Sequence, residues 1–203
     1  MQPNPRKTKS VRMLGRVDIA ALKKAVLAIP EDVWERENAS KPNRFDALDR
    51  THHIVFRFVK NATDWTAYYD LPMWKEFRPL LEPVMNEAVA DYRYARGEFP
   101  RIMLARMAPG GVILPHMDSS PVARWPHKIH VPLETNDRVT FFVDPGHYRL
   151  AEGEAYELNN MGTHAVRNEG TTNRIHLIFE YFDPDQPVPG MAAFPLRSGR
   201  TPV

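Results

Sequence analysis

From Gly97 to Asp183 the chain is a succession of short β-branched and aromatic runs, each ended by Gly, Pro or Asn. Runs of this length between turn formers read as strands. The candidates are 101–107, 112–115, 127–133, 138–143, 154–158, 163–167 and 173–182. Such a count suits two sheets folded over one another as a jelly roll. The expected fold is therefore mainly β with flanking helices, a double-stranded β-helix barrel of the jelly-roll or cupin-like kind.

The first hundred residues supply the flanking parts. Asp18 stands as an N-cap before Ile19, Leu22, Val26 and Ile29, which share one helical face, and Pro30 stops the run. Residues 31–50 are polar and irregular and read as a surface loop; 52–59 read as a strand. Trp74, Phe77, Leu81, Val84, Ala88 and Tyr92 recur at helical spacing, but Pro79 and Pro83 interrupt them. The spacing predicts a short turn and then a longer helix whose aromatic stripe packs on the core, with a protein-interaction face as the competing reading. Residues 1–14 are basic and read as an arm or an edge strand. One domain over 15–183 follows, with support elements over 15–100 and the barrel over 101–183. From Pro184 the tail over 184–203 carries five prolines and reads as extended or disordered.

Composition limits the chemistry. With 203 residues, 43% hydrophobic and 26% charged, the chain suits one globular domain. No apolar run approaches the ~20 residues a membrane helix needs, and none follows the basic N-terminus as a secretory signal would. A cytoplasmic protein without a membrane span is expected. The formal charge of +2, without a basic block, gives no sign of a nucleic-acid partner. The chain has no cysteine, so any metal must be held by His, Asp or Glu.

His116 and Asp118 are two apart just after the candidate strand 112–115, and if the extended chain continues through them they point to one face. His164, ahead of the last candidate strand, completes a set of two imidazoles and one carboxylate. Such a set occupies one face of an octahedral ferrous ion and leaves the other open. Arg174 adds a planar fork that can grip a carboxylate through two bonds, which suits a dicarboxylate co-substrate. His176, two residues on, shares the face of Arg174.

The motifs around these residues run Pro109-Gly-Gly-Val-Ile-Leu-Pro-His116-Met-Asp118, Lys128-Ile-His130, Gly153-Glu-Ala-Tyr156, His164-Ala-Val-Arg-Asn168 and Arg174-Ile-His176-Leu. Together, over roughly residues 100 to 183, they resemble the aspartyl/asparaginyl β-hydroxylase family of Fe(II)- and 2-oxoglutarate-dependent oxygenases. The resemblance implies that His116, Asp118 and His164 are the catalytic metal ligands for Fe(II). It also implies that Arg174 holds the distal carboxylate of 2-oxoglutarate and that His130 donates to a carboxylate of the same molecule. Lys128 stands where members place a cation that contacts the co-substrate, more usually an arginine, and His176, on the face of Arg174, is a further candidate for lining that pocket; Ala105 stands where animal members carry serine. Asp118, which those members lack, makes the triad resemble that of bacterial relatives.

The activity implied is hydroxylation of an unactivated C–H of an amino acid, free or within a peptide, using O2 and releasing succinate and CO2. Arg124, Trp125, Asp46, Arg50 and His53 are the candidate substrate contacts. A non-catalytic or isomerase-type jelly roll that binds a small carboxylic acid is the alternative. Neither the primary substrate nor the oligomeric state can be read from these residues.

Overall fold

In the computed structural model, which describes residues 4–42, 50–118 and 120–186, the strand-rich half of the chain forms two antiparallel sheets with a shared interior. The strands are β1 (Val11–Arg16), β2 (Thr51–Val59), β3 (Tyr68–Asp70), β4 (Ile102–Met107), β5 (Val112–His116) and β6 (His127–Glu134). They continue as β7 (Val139–Val143), β8 (Gly146–Tyr148), β9 (Glu154–Leu158), β10 (His164–Asn168) and β11 (Arg174–Tyr181). The larger sheet has the order β1-β9-β6-β11-β4-β2-β3, and the smaller one β5-β10-β7-β8. Strands distant in sequence are thus neighbours, as in a jelly roll. Alternation along each strand divides the side chains between two cores.

On the outer face of the large sheet, Ile54, Leu104, Ile129, Val131, Leu177 and Phe179 join the helices in the main core. On its inner face, Met107, Tyr156 and Leu158 meet Ile113, Phe141, Val143 and Val166 of the small sheet. The inner face also carries the polar side chains that matter below.

Three helices cover the outside: α1 (Ala20–Leu27), α2 (Glu31–Ser40) and α3 (Trp74–Ala88). In α1, Leu22 and Val26 are buried as expected, and Asp18 Oδ1 accepts the Ala20 N–H at 3.0 Å. Two expectations need correction. Residues 31–40 are a helix and not a loop: Pro30 begins it, Glu31 and Asp32 lie at its positive end, and Trp34 is buried beneath the Arg106 guanidinium. A single buried aromatic anchors this helix, so hydrophobic periodicity does not reveal it. Second, α3 runs unbroken through Pro79 and Pro83. Both prolines lie on its exposed face, where water can reach the carbonyls left without a donor, while Trp74, Phe77, Leu81, Val84, Met85 and Ala88 are buried. That stripe belongs to the core, so it is not available as an interaction face.

β1 is the outermost strand beside β9 and lies across position 14, where the sequence suggests that the arm ends. Among the described residues no helix is long and apolar enough to cross a membrane. Asp46 and residues 187–203 of the proline-rich tail lie outside the described residues.

Candidate metal centre

β5 ends at His116 and β10 begins at His164, and antiparallel pairing sets these two residues directly opposite each other. Their ring centroids are 4.2 Å apart. Asp118, two residues past His116, is fixed through its backbone N–H, which donates to Asn160 O at 2.9 Å. One potential ligand atom from each of His116, Asp118 and His164 lies within 4.8 Å of the other two. A single ion can reach all three.

The tautomers suit that role. His116 Nδ1 is 2.9 Å from Leu114 O, and His164 Nδ1 is 3.0 Å from Gly162 O. A carbonyl can only accept, so each Nδ1 carries the hydrogen and each Nε2 keeps its lone pair. Burial pushes the His164 pKa down to about 4 against the attraction of Asp118, so its imidazole is neutral at neutral pH. A metal ligand must be so. Burial by itself would raise the Asp118 carboxyl. Lys128 first, and then His164, outweigh it and hold that group far below the usual carboxylate range.

Lys128 Nζ donates to Asp118 Oδ2 at 2.6 Å and Asn160 Nδ2 to the same oxygen at 3.1 Å. Both bonds fall on Oδ2, which leaves Oδ1 as the oxygen for a cation. Lys128, expected beside the co-substrate, is therefore engaged with a metal ligand.

Deeper between the sheets, the inner face of β6 and β11 presents His130, Arg174 and His176, all buried. Phe141 of β7 closes over them: it stacks on His176 at 5.4 Å, meets His130 edge-on at 6.0 Å and lies 5.0 Å from the Arg174 guanidinium carbon. Arg174 is 1% exposed, yet its Nε and Nη1 have no hydrogen-bond partner among the described residues. His130 Nδ1 and both nitrogens of His176 also lack one. Burial drives the Arg174 pKa down to about 9 and those of His130 and His176 well below the ordinary histidine value. The charges of Arg174 and Lys128 add to the lowering at His130.

A buried cation with unmet donors is costly unless an anion pairs with it. The triad offers two imidazole nitrogens and a carboxylate, the donor set that suits non-haem iron. The residues therefore fit a ferrous ion with a dicarboxylate held further inside.

The remaining sequence candidates lie elsewhere. Trp125 is buried and stacks on Trp65 at 6.5 Å, in a satellite core with Val59, Val122 and Phe182. It packs the wall instead of facing a substrate. Arg50 is exposed just ahead of β2, and Arg124 is half-buried in the loop after the triad. His53 is buried on β2 opposite Ala105 and bonded through Nδ1 to Lys41 Nζ at 3.2 Å. Arg106 faces away from the interior and pairs with Glu31 of α2. A groove of about 470 Å³ runs over the outer face of the small sheet along Leu114, Phe142, His147 and Ala165. It lies behind the triad and includes none of its ligands. Asn160 and Phe141 were not singled out in the sequence, because an Asn in a turn and a Phe in a strand have ordinary structural explanations.

A jelly roll with this triad at the edge of its interior defines a class, the 2-oxoglutarate-dependent non-haem iron hydroxylases. The sequence matches the family model Aspartyl/Asparaginyl beta-hydroxylase over residues 32–184, and the chain belongs to that family. A search of curated proteins finds no match. Solved structures share the fold at low identity. One is the non-heme alpha ketoglutarate dependent carbocyclase SnoK from nogalamycin biosynthesis, with TM-score 0.57 and 13% identity over 87% of this chain and 80% of that one. Another is the viral collagen prolyl hydroxylase of Paramecium Bursaria Chlorella virus-1, with TM-score 0.52 and 10% identity over 86% and 96%. A third is an oxidoreductase of the 2OG-Fe(II) oxygenase family from Burkholderia pseudomallei, with TM-score 0.50 and 14% identity over 89% and 94%.

Proposed function

We propose that this chain hydroxylates an unactivated C–H bond of an amino acid, free or within a peptide, as a single domain in the cytoplasm. The observation that carries the reading is the pairing of two features across the space between the sheets, the triad on the small sheet and Arg174 on the large one. A three-ligand cluster sits at the edge, and a buried guanidinium whose Nε and Nη1 have no hydrogen-bond partner among the described residues lies on the other sheet. His116, Asp118 and His164 would hold ferrous ion, and Arg174 the distal carboxylate of 2-oxoglutarate.

Bound iron, 2-oxoglutarate and O2 supply the oxidising chemistry: one oxygen atom enters succinate as CO2 leaves, and the other becomes the hydroxyl of the product. The protein's own residues bind, orient and exclude water. The Nδ1–H bonds to Leu114 and Gly162 hold the two imidazoles in register. Lys128 and Asn160 hold Asp118 so that one oxygen faces the ion. His130 and His176 offer hydrogen bonds to the co-substrate that no described protein group takes up. Phe141 excludes water beside the guanidinium, where a low dielectric strengthens its pairing with a carboxylate. The residues proposed for substrate contact are Arg124, Arg50 and His53, the last in register with His176 through their shared partner Ala105.

The test is to incubate purified protein anaerobically with Fe(II), 2-oxoglutarate and ascorbate, admit O2, and present pooled amino acids and peptides. Succinate release coupled to a product heavier by one oxygen is expected. Iron retention without succinate from any pool would leave a binding protein, and the catalytic reading would be wrong.

A further inference from the structure

Lys7 precedes the residues that match the family, yet its ammonium is inserted beside the triad. Nζ donates to Ala123 O at 2.9 Å, Pro126 O at 2.7 Å and Asn160 Oδ1 at 2.6 Å. These three acceptors use all its hydrogens. A lysine ammonium cannot accept, so the atom of Asn160 that faces it must be the amide oxygen. The amide nitrogen is thereby turned the other way, onto Asp118 Oδ2 and Ala123 O, each at 3.1 Å. Asn160 is 1% exposed, so no water competes to reorient it.

The arm that carries Lys7 is held at several points. The Asn4 N–H donates to Arg124 O at 3.2 Å and Asn4 Nδ2 to Trp125 O at 3.1 Å. Further along, the Asn159 N–H donates to Ser10 O at 2.7 Å, and Asn159 Nδ2 to Lys9 O at 3.0 Å. The arm thus clamps both segments that carry the triad's supports: the loop after Asp118 and the turn before His164.

We infer that Lys7 is a positioning residue for the metal site, acting through the Asn160 amide to aim Asp118 at the ion. The inference rests on the iron-hydroxylase reading. Partners that orient a ligand in this way commonly contribute ten- to hundredfold in metal affinity. Without Lys7, Asn160 can rotate its oxygen toward Asp118, which replaces a donor with a repelling acceptor.

The experiment is anaerobic calorimetry of cobalt(II) binding to the full chain, with the visible spectrum of the bound cobalt as a second readout and the thermal midpoint of the metal-free protein as a control. Lys7→Met is expected to bind cobalt roughly ten- to hundredfold more weakly and to shift its spectrum, whereas Lys7→Arg stays within about threefold of the wild type. Because Lys7 acts through Asn160, adding Lys7→Met to Asn160→Ala should cost nothing further. Wild-type affinity in folded Lys7→Met overturns the inference, even if its midpoint falls. Should Lys7→Met not fold, Asn160→Ala decides, since it leaves the lysine two carbonyl acceptors; undiminished cobalt affinity there also overturns it. If the wild type binds no cobalt and releases no succinate, it is the hydroxylase reading that fails, and this inference falls with it.

Discussion

Replacing Arg174 with methionine should move stability and co-substrate binding in opposite directions. The guanidinium is 1% exposed and its Nε and Nη1 are unbonded among the described residues. Burial lowers its pKa from the ordinary arginine value to about 9, which corresponds to roughly 5 kcal/mol against the charged form. Methionine has a similar length and no charge. Allowing for imperfect repacking, the metal-free variant should be about 1–4 kcal/mol more stable, the range seen when buried charges give way to apolar residues. At roughly 2–4 °C per kcal/mol for a domain of this size, its melting midpoint should rise by several degrees. Binding should suffer in the same variant, because the distal carboxylate would enter a buried site without its counter-ion. The expected loss is about 2–5 kcal/mol, or roughly 30- to several-thousand-fold in Kd. Scanning fluorimetry of the metal-free protein and anaerobic calorimetry with 2-oxoglutarate read the two quantities separately. A lower midpoint with unchanged co-substrate affinity would refute the reasoning, since it would mean that Arg174 pairs within the protein and takes no ligand.

Three further outcomes follow from the geometry. His164→Ala should abolish stoichiometric iron retention, measured by elemental analysis after anaerobic loading, while leaving the fold intact, because the half-exposed ring contributes little core; full retention would remove it from the ligand set. Phe141→Ala should cost about 3–5 kcal/mol of stability from the cavity it leaves and also weaken 2-oxoglutarate binding, a pairing that chemical denaturation and calorimetry would reveal or refute. The metal-free protein should lose stability as pH falls below about 6.5. Burial, with Lys41 and Arg174 adding, lowers His53 to about 3, and burial lowers His164 to about 4, so between these values and 6.5 the unfolded chain binds more protons than the folded one. Each such histidine contributes roughly 1.4 kcal/mol per pH unit across its window. Urea midpoints that do not change from pH 7 to pH 5 would contradict this.

Local chemistry made much of the site legible. The i, i+2 spacing of His116 and Asp118 marks a ligand pair although β5 ends at His116, and the Gly, Pro and Asn punctuation after Gly97 marks the strands themselves. Both are properties of neighbouring residues, so a linear reading finds them. Local rules misled where burial decided the outcome. The prolines of α3 are tolerated because they face water, and α2 forms because one tryptophan finds cover under Arg106.

What the sequence determined by itself is the donor set: without cysteine, two histidines and an aspartate in strand-rich surroundings are the residues that could hold a metal beside a carboxylate-gripping arginine. Only the folded chain sets His164 opposite His116, buries Arg174 and His176 with side-chain nitrogens that have no hydrogen-bond partner among the described residues, and brings Lys7 to Asn160. Each of these depends on which distant strands pair and which face turns inward. Such choices are settled by hydrogen-bond register and burial over the whole molecule, and nothing in the neighbouring residues of any one position records them.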